Sequence, residues 1–214
     1  MLNRVFLTFW LALFGLSCTA AEEPAASYEE GKHYKRIDPA LRTSNPDKIE
    51  ISEFFWYGCH HCYTFEPMLQ QWKKTLADDV TFQGIPAVWR GGMDLHAQAY
   101  YTAAALDVMV PMHQVIFDAM NVDKKPLGSP GEIRALFVAN GVSAEDFDNT
   151  FNSFGVNSQV RKGVSAARSA KVTGTPSVMV NGKYMVDTRA AGGQAGVLKV
   201  VDFLIEKERA AMAK

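Results

Sequence analysis

The chain has 214 residues, 48% of them hydrophobic and 21% charged, with a formal net charge of −1. That length suits one large domain or one domain carrying a sizeable insertion, and the composition is ordinary for a soluble globular protein. A net charge so close to zero gives no electrostatic case for a nucleic acid or an anionic membrane as partner.

Residues 1–21 read as a cleavable secretory signal peptide. Arg4 precedes an apolar run from Val5 to Leu16, and the small residues Thr19, Ala20 and Ala21 follow. The run is too short to span a bilayer comfortably. Residues 22–32, acidic and alanine-rich, are expected to form a flexible leader. Cys18 is lost with the signal segment, so the mature chain keeps Cys59 and Cys62 alone.

Two strands are expected next, His33–Ile37 and Ile49–Tyr57. The second is almost continuously apolar after Glu53, as a strand buried on both faces should be. Gly58 breaks it, and a helix follows from Cys59 to about Leu76, with Phe65, Leu69, Trp72 and Leu76 on one face and Pro67 inside. Val80–Trp89 reads as a third strand.

A long helical section then runs from Asp94 to Val172. Ser129, Pro130 and Glu132 stand as N-cap, first-turn proline and capping glutamate, and Asn140-Gly141 closes that helix. Ser143 opens another, followed by Phe147, Phe151 and Phe154. A further helix carries Val160, Val164 and Ala167 on one face. Met109, Met112 and Met120 fit core packing. Asn181-Gly182 joins two β-rich runs as a hairpin. A last helix spans about Gln194–Ala213 and packs through Val197, Val200, Val201, Leu204 and Ile205. The corresponding division is 33–93, an inserted helical unit 94–172, and 173–214.

The chemistry concentrates in FFWYGCHHCYTFEP, residues 54–67. A structural zinc site commonly needs a second spaced ligand pair, and the remaining histidines, His33, His96 and His113, supply none. A c-type haem anchor needs histidine directly after the second cysteine, where Tyr63 stands. A stabilising disulfide between Cys59 and Cys62 would close almost no loop. A redox pair fits the setting. Cys59 would sit at the N-terminal edge of a helix, where free N–H groups and the dipole favour a thiolate. His60 and His61 can donate hydrogen bonds or charge beside it. Each unit of pKa depression stabilises the reduced form by about 1.4 kcal/mol. For a two-electron couple that is about 30 mV of oxidising potential.

With the later TGTPSVMVNGKY, this segment resembles the periplasmic thiol:disulfide oxidoreductases of the DsbA type, which have a thioredoxin fold with an inserted all-helical domain. The resemblance runs from about His33 to the C-terminal helix. It implies an α/β thioredoxin fold, no cofactor other than a redox-active disulfide, and a monomer. By matching positions, Cys59 is the nucleophile and Cys62 its buried partner. His61 stabilises the Cys59 thiolate. Thr175-Pro176 forms a cis-proline loop that aligns substrate. Glu53 is a buried acid serving Cys62, and Glu66 a second family glutamate. The implied partners are reduced, unfolded exported proteins and a membrane quinone-linked reoxidant of the DsbB type. Trp56, Tyr57 and Tyr63 could line an apolar peptide groove with Pro176, although Trp56 and Tyr57 equally suit the strand core.

Two positions depart from the best-known members. His60 replaces a proline, and Thr175 replaces the usual valine. Threonine there also occurs in disulfide isomerases, so an isomerase or reductase stays open as an alternative. A soft-metal carrier using the two thiolates, for example for Cu(I), stays open as well.

Overall fold

The computed structural model describes residues 27–213. The signal-peptide reading of 1–21 and the first part of the leader, 22–26, lie outside the described residues. From 27 on, the expected flexible leader is instead tied down. Tyr28 packs edge-on against Phe203 and His33, and the Glu29 N–H donates to His33 Nδ1 at 2.9 Å.

Five strands form one mixed sheet in the order β1-β5-β4-β2-β3. They are β1 (Lys35–Arg36), β2 (Ile49–Phe55), β3 (Val80–Pro86), β4 (Ser177–Val180) and β5 (Tyr184–Asp187). β2 runs parallel to β3 and antiparallel to β4, and every one of its residues is buried. Alternation along a strand sends Ile49, Ile51 and Glu53 to one face and Glu50, Ser52 and Phe54 to the other. The first face lies under α1 (His60–Lys73) and α7 (Gln194–Met212), where Phe65, Leu69, Val200, Val201 and Leu204 complete a core with Ile49 and Ile51. Phe54 packs on the second face with Ile85, Ala167 and Met179.

Between β3 and β4 lie five consecutive helices, α2 (Met93–Ala105), α3 (Met109–Asn121), α4 (Pro130–Ala139), α5 (Ala144–Phe151) and α6 (Phe154–Ser169). Their core joins Phe117, Ile133, Phe137, Phe147 and Phe151 and reaches Phe55 and Tyr57 at the end of β2 and Cys62 on α1. The capping signals hold. Ser129 accepts from the Glu132 N–H and Ser143 from the Asp146 N–H. Gly141 takes a φ of +92 past the end of α4.

Several boundaries differ from those expected. β1 shrinks to two residues because it pairs with β5 alone, at the sheet edge. β3 stops at Pro86, which has no N–H to give. The β4–β5 loop is three residues rather than two, with Asn181 and Gly182 both at positive φ and the Lys183 N–H returning to the Val180 carbonyl. Phe154 is not core. It opens α6 just after the Ser153 cap and is 83% exposed, and Val156 takes the buried position.

Candidate active site

The site is built where β2 ends and α1 begins. After Phe55 the chain turns through Trp56, Tyr57 and Gly58, and Cys59 caps the helix in extended conformation. The Cys59 N–H closes the turn on the Trp56 carbonyl at 2.9 Å. A Cβ at 58 would come within 2.4 Å of the Trp56 indole, so any larger residue there requires that ring to shift.

Three side chains of the helical insertion pin this turn. Trp56 Nε1–H donates to His96 Nδ1 at 2.9 Å, and His96 Nε2 lies 3.1 Å from the Pro126 carbonyl oxygen, which fixes the neutral tautomer. Burial pushes the His96 pKa down, in keeping with that state. The Tyr57 hydroxyl sits 2.8 Å from His113 Nδ1, and Asn121 Nδ2 donates to the Tyr57 carbonyl at 2.8 Å. Tyr57 is therefore core, while Trp56 stays half-buried with the Arg90 guanidinium over its ring.

The two cysteines are free thiols in unequal surroundings. Cys59 is half-buried and its pKa falls from 9.0 to about 5. The Cys62 thiol, hydrogen-bonding to the Cys59 sulfur, is the largest influence. Partial burial opposes it, and Thr175 and the backbone N–H groups of Cys62 and His61 add to the lowering. Those two N–H groups belong to the first turn of α1, where no intrahelical acceptor exists. Thr175 acts in two senses. Its carbonyl accepts from the Cys59 thiol at 3.4 Å, which favours the protonated form, while its side chain favours the thiolate. The net pull is downward. Cys62, 1% exposed, behaves oppositely: burial first, then the hydrogen bond to Cys59 and the nearby Glu53 carboxyl, push its thiol up.

His60 and His61 are both exposed. Their imidazoles make no hydrogen bond to Cys59 among the described residues, so the contribution of His61 visible here is its N–H rather than its ring. The His61 carbonyl is held at 2.6 Å by Gln194 Nε2, at the start of α7.

Thr175-Pro176 is a cis peptide directly before β4. The β2–β4 register, Phe54 opposite Ser177, sets that loop beside the end of β2 and hence against Cys59. Glu53 lies on the α1 face of β2 and is 3% exposed. Burial, and next the charge of Glu66, push its pKa well up. Glu66 is equally buried, yet its pKa is lowered. Burial opposes ionisation, but His113, then Gln70 and Lys73, outweigh it.

A DSBA-like thioredoxin domain model matches residues 81–194, on the far side of the cysteine pair. The thiol:disulfide interchange protein DsbA of Pseudomonas aeruginosa is 39% identical over 213 residues, covering all of both chains. That of Azotobacter vinelandii is 38% identical over 200 residues, 94% of each chain. The crystal structure of Pseudomonas aeruginosa DsbA superposes with a TM-score of 0.84 at 41% identity, over 87% of this chain and 97% of that one. The chain belongs to the DsbA family. It is accordingly a thiol:disulfide oxidoreductase on a thioredoxin fold with a helical insertion, as the motif implied.

His96, His113 and Asn121, which hold the DsbA-type turn, had no assigned role in the sequence. The signal was present for the two histidines. His96 falls in the buried stripe of α2 with Met93, Ala97 and Ala103, and His113 adjoins Met112, Ile116 and Phe117 on α3. Glu66 likewise occupies the buried stripe of α1 with Cys62, Phe65 and Leu69. A polar side chain repeated on an apolar face is a buried group in need of a partner.

Proposed function

We propose that the protein is a periplasmic dithiol oxidase that passes the Cys59–Cys62 disulfide to reduced, newly exported proteins. The observation that supports this best is the asymmetry of the pair: a reachable Cys59 ionising at about 5 beside a buried Cys62 held as the thiol. A substrate thiolate attacks Cys59 Sγ, the S–S bond breaks, and Cys62 leaves as a thiolate that takes up a proton. A second substrate thiolate then attacks the substrate sulfur of the mixed disulfide. Cys59 departs as a stabilised anion, a good leaving group, and the substrate keeps the disulfide. Glu53, the buried carboxyl whose charge acts on Cys62, is the acid that serves it. Thr175 and Pro176 present backbone along which an extended peptide can align. Residues 1–21 direct export, and a membrane quinone-linked protein of the DsbB type reoxidises the pair.

Equilibrium titration of the Cys59/Cys62 pair against glutathione tests the direction of exchange. An oxidase holds its disulfide less tightly than the glutathione pool does, and a pair that is instead harder to reduce than glutathione ends this reading. Cys62→Ser should accumulate mixed disulfides with reduced peptide, visible by mass, while Cys59→Ser should form none. Thr175 keeps an isomerase reading in play, and faster rescue of a scrambled-disulfide substrate than oxidation of a reduced one would favour it.

A further inference from the structure

A cavity of about 380 Å³ lies between α1, α2, α3 and the sheet, lined among others by Glu53, Glu66, Gln70, Lys73, Tyr100 and His113. The exposed Lys74 and Val110 border it toward solvent. Two carboxyls, each 3% exposed, thus share one small space. Two such groups do not both ionise readily, and which of them keeps the proton depends on which has the better donors.

The donors are unequally distributed. Glu66 Oε1 faces Gln70 Nε2 and lies 3.4 Å from His113 Nε2. Among the described residues no side-chain hydrogen bond reaches the Glu53 carboxyl. The ring of His113 is caged by Phe55, Tyr57, Tyr100 and Phe117, with centroids between 5.0 and 5.9 Å away. Its orientation is set from behind. The buried Tyr57 hydroxyl, 2.8 Å from Nδ1, has no other hydrogen-bond partner among the described residues and donates to that nitrogen. This leaves the ring proton on Nε2, 3.4 Å from Glu66 Oε1. If the ring gains a proton, Nε2–H still faces the carboxylate, so His113 favours ionised Glu66 in both of its states.

We propose that His113 is a positioning residue for the proton that Cys62 takes up when the disulfide opens: by holding Glu66 as the anion, it leaves the proton of the pair on Glu53. The inference rests on the oxidase reading above. In the step, a substrate thiolate forms a bond to Cys59 Sγ as the Cys59–Cys62 bond breaks, the Cys62 thiolate takes the Glu53 proton, and Glu53 regains a proton from solvent. The substrate thiol is the reductant, and no other is needed. The charged and titratable groups facing Glu53 are Tyr57 from the turn after β2, Glu66 and Lys73 from α1, Tyr100 from α2, His113 from α3, and the two cysteines.

Side-chain carboxyl titration by ¹³C NMR, with ¹⁵N shifts of the His113 ring, tests this on the whole mature protein. The wild type should show Glu53 titrating above and Glu66 below the ordinary range, with Nδ1 of His113 unprotonated in the neutral ring. His113→Phe keeps the ring packing and removes the donor. Glu66 should then titrate higher and Glu53 lower, and the pH profile for reduction of the disulfide by glutathione should shift with Glu53. His113→Gln, which retains an N–H, should restore part of the difference. A wild-type His113 protonated on Nδ1 alone, a wild-type proton on Glu66, or carboxyl titrations unchanged in folded His113→Phe would each overturn the proposal. None of these carboxyl readouts requires peptide oxidation. A protein that fails to oxidise peptide but titrates as stated therefore sinks the oxidase reading alone.

Discussion

At the scale of single residues, Cys59 is shaped first by the Cys62 thiol and then by Thr175 and backbone N–H groups, more than by the two imidazoles that flank it. Alanine at 61 keeps the N–H that faces the sulfur, whereas valine at 175 keeps the shape of threonine and removes its hydroxyl. Thr175→Val should therefore raise the Cys59 pKa above about 5, and His61→Ala should raise it less, as read by thiolate absorbance or alkylation rate against pH. Each unit of rise should lower the potential by about 30 mV. A larger shift from His61→Ala would return the tuning to the imidazole ring. The Cys59/Cys62 pair was legible in the sequence because its spacing is local. The roles of His96 and His113 were not, because they exist only once α2 and α3 are packed on the end of β2, 40 and 56 residues from the side chains they meet.

At the scale of elements, the position of the Thr175-Pro176 loop depends on the β4–β5 hairpin, which fixes the register of β4 against β2. Gly182 makes that hairpin possible twice over. It has a φ of +64, and a Cβ would come within 2.2 Å of the Leu41 carbonyl oxygen, a backbone atom that cannot swing away. Gly182→Ala should destabilise the protein by more than about 1 kcal/mol in urea denaturation. Gly128→Ala, where no neighbour lies within 4 Å and φ is not positive, should be neutral or stabilising by up to about 1 kcal/mol. Equal effects at the two sites would remove the hairpin constraint. The Asn-Gly pair and the serine caps were legible because their chemistry is complete within four residues. The two-residue extent of β1 was not, since it depends on a sheet edge assembled from residues 150 positions apart.

At the scale of the whole molecule, the sheet core and the helical insertion hold the redox turn from two sides, so the fold itself decides which redox state it prefers. In the chain-entropy view, a disulfide across two residues adds about 2 kcal/mol to the oxidised form, because the loop it closes is so short. The reduced form gains the Cys59 anion. Near pH 9, where it is fully developed, a fall in pKa from 9.0 to about 5 exceeds that gain even when discounted for the sulfur's partial exposure. A depressed pKa contributes stability that is fully present above the unfolded value and is lost as pH falls through the folded one. The window is thus pH 9 down to pH 5, and the oxidised form, with no thiol to titrate there, lacks it. Cys62, pushed up by burial, stays protonated across this range and subtracts only above its unfolded value. Urea midpoints of the two forms should therefore show the reduced protein as the more stable near pH 9, with its advantage shrinking through pH 7 and the order reversed at pH 5. An oxidised form that outlasts the reduced one at every pH would mean that the fold prefers the disulfide and does not drive its transfer.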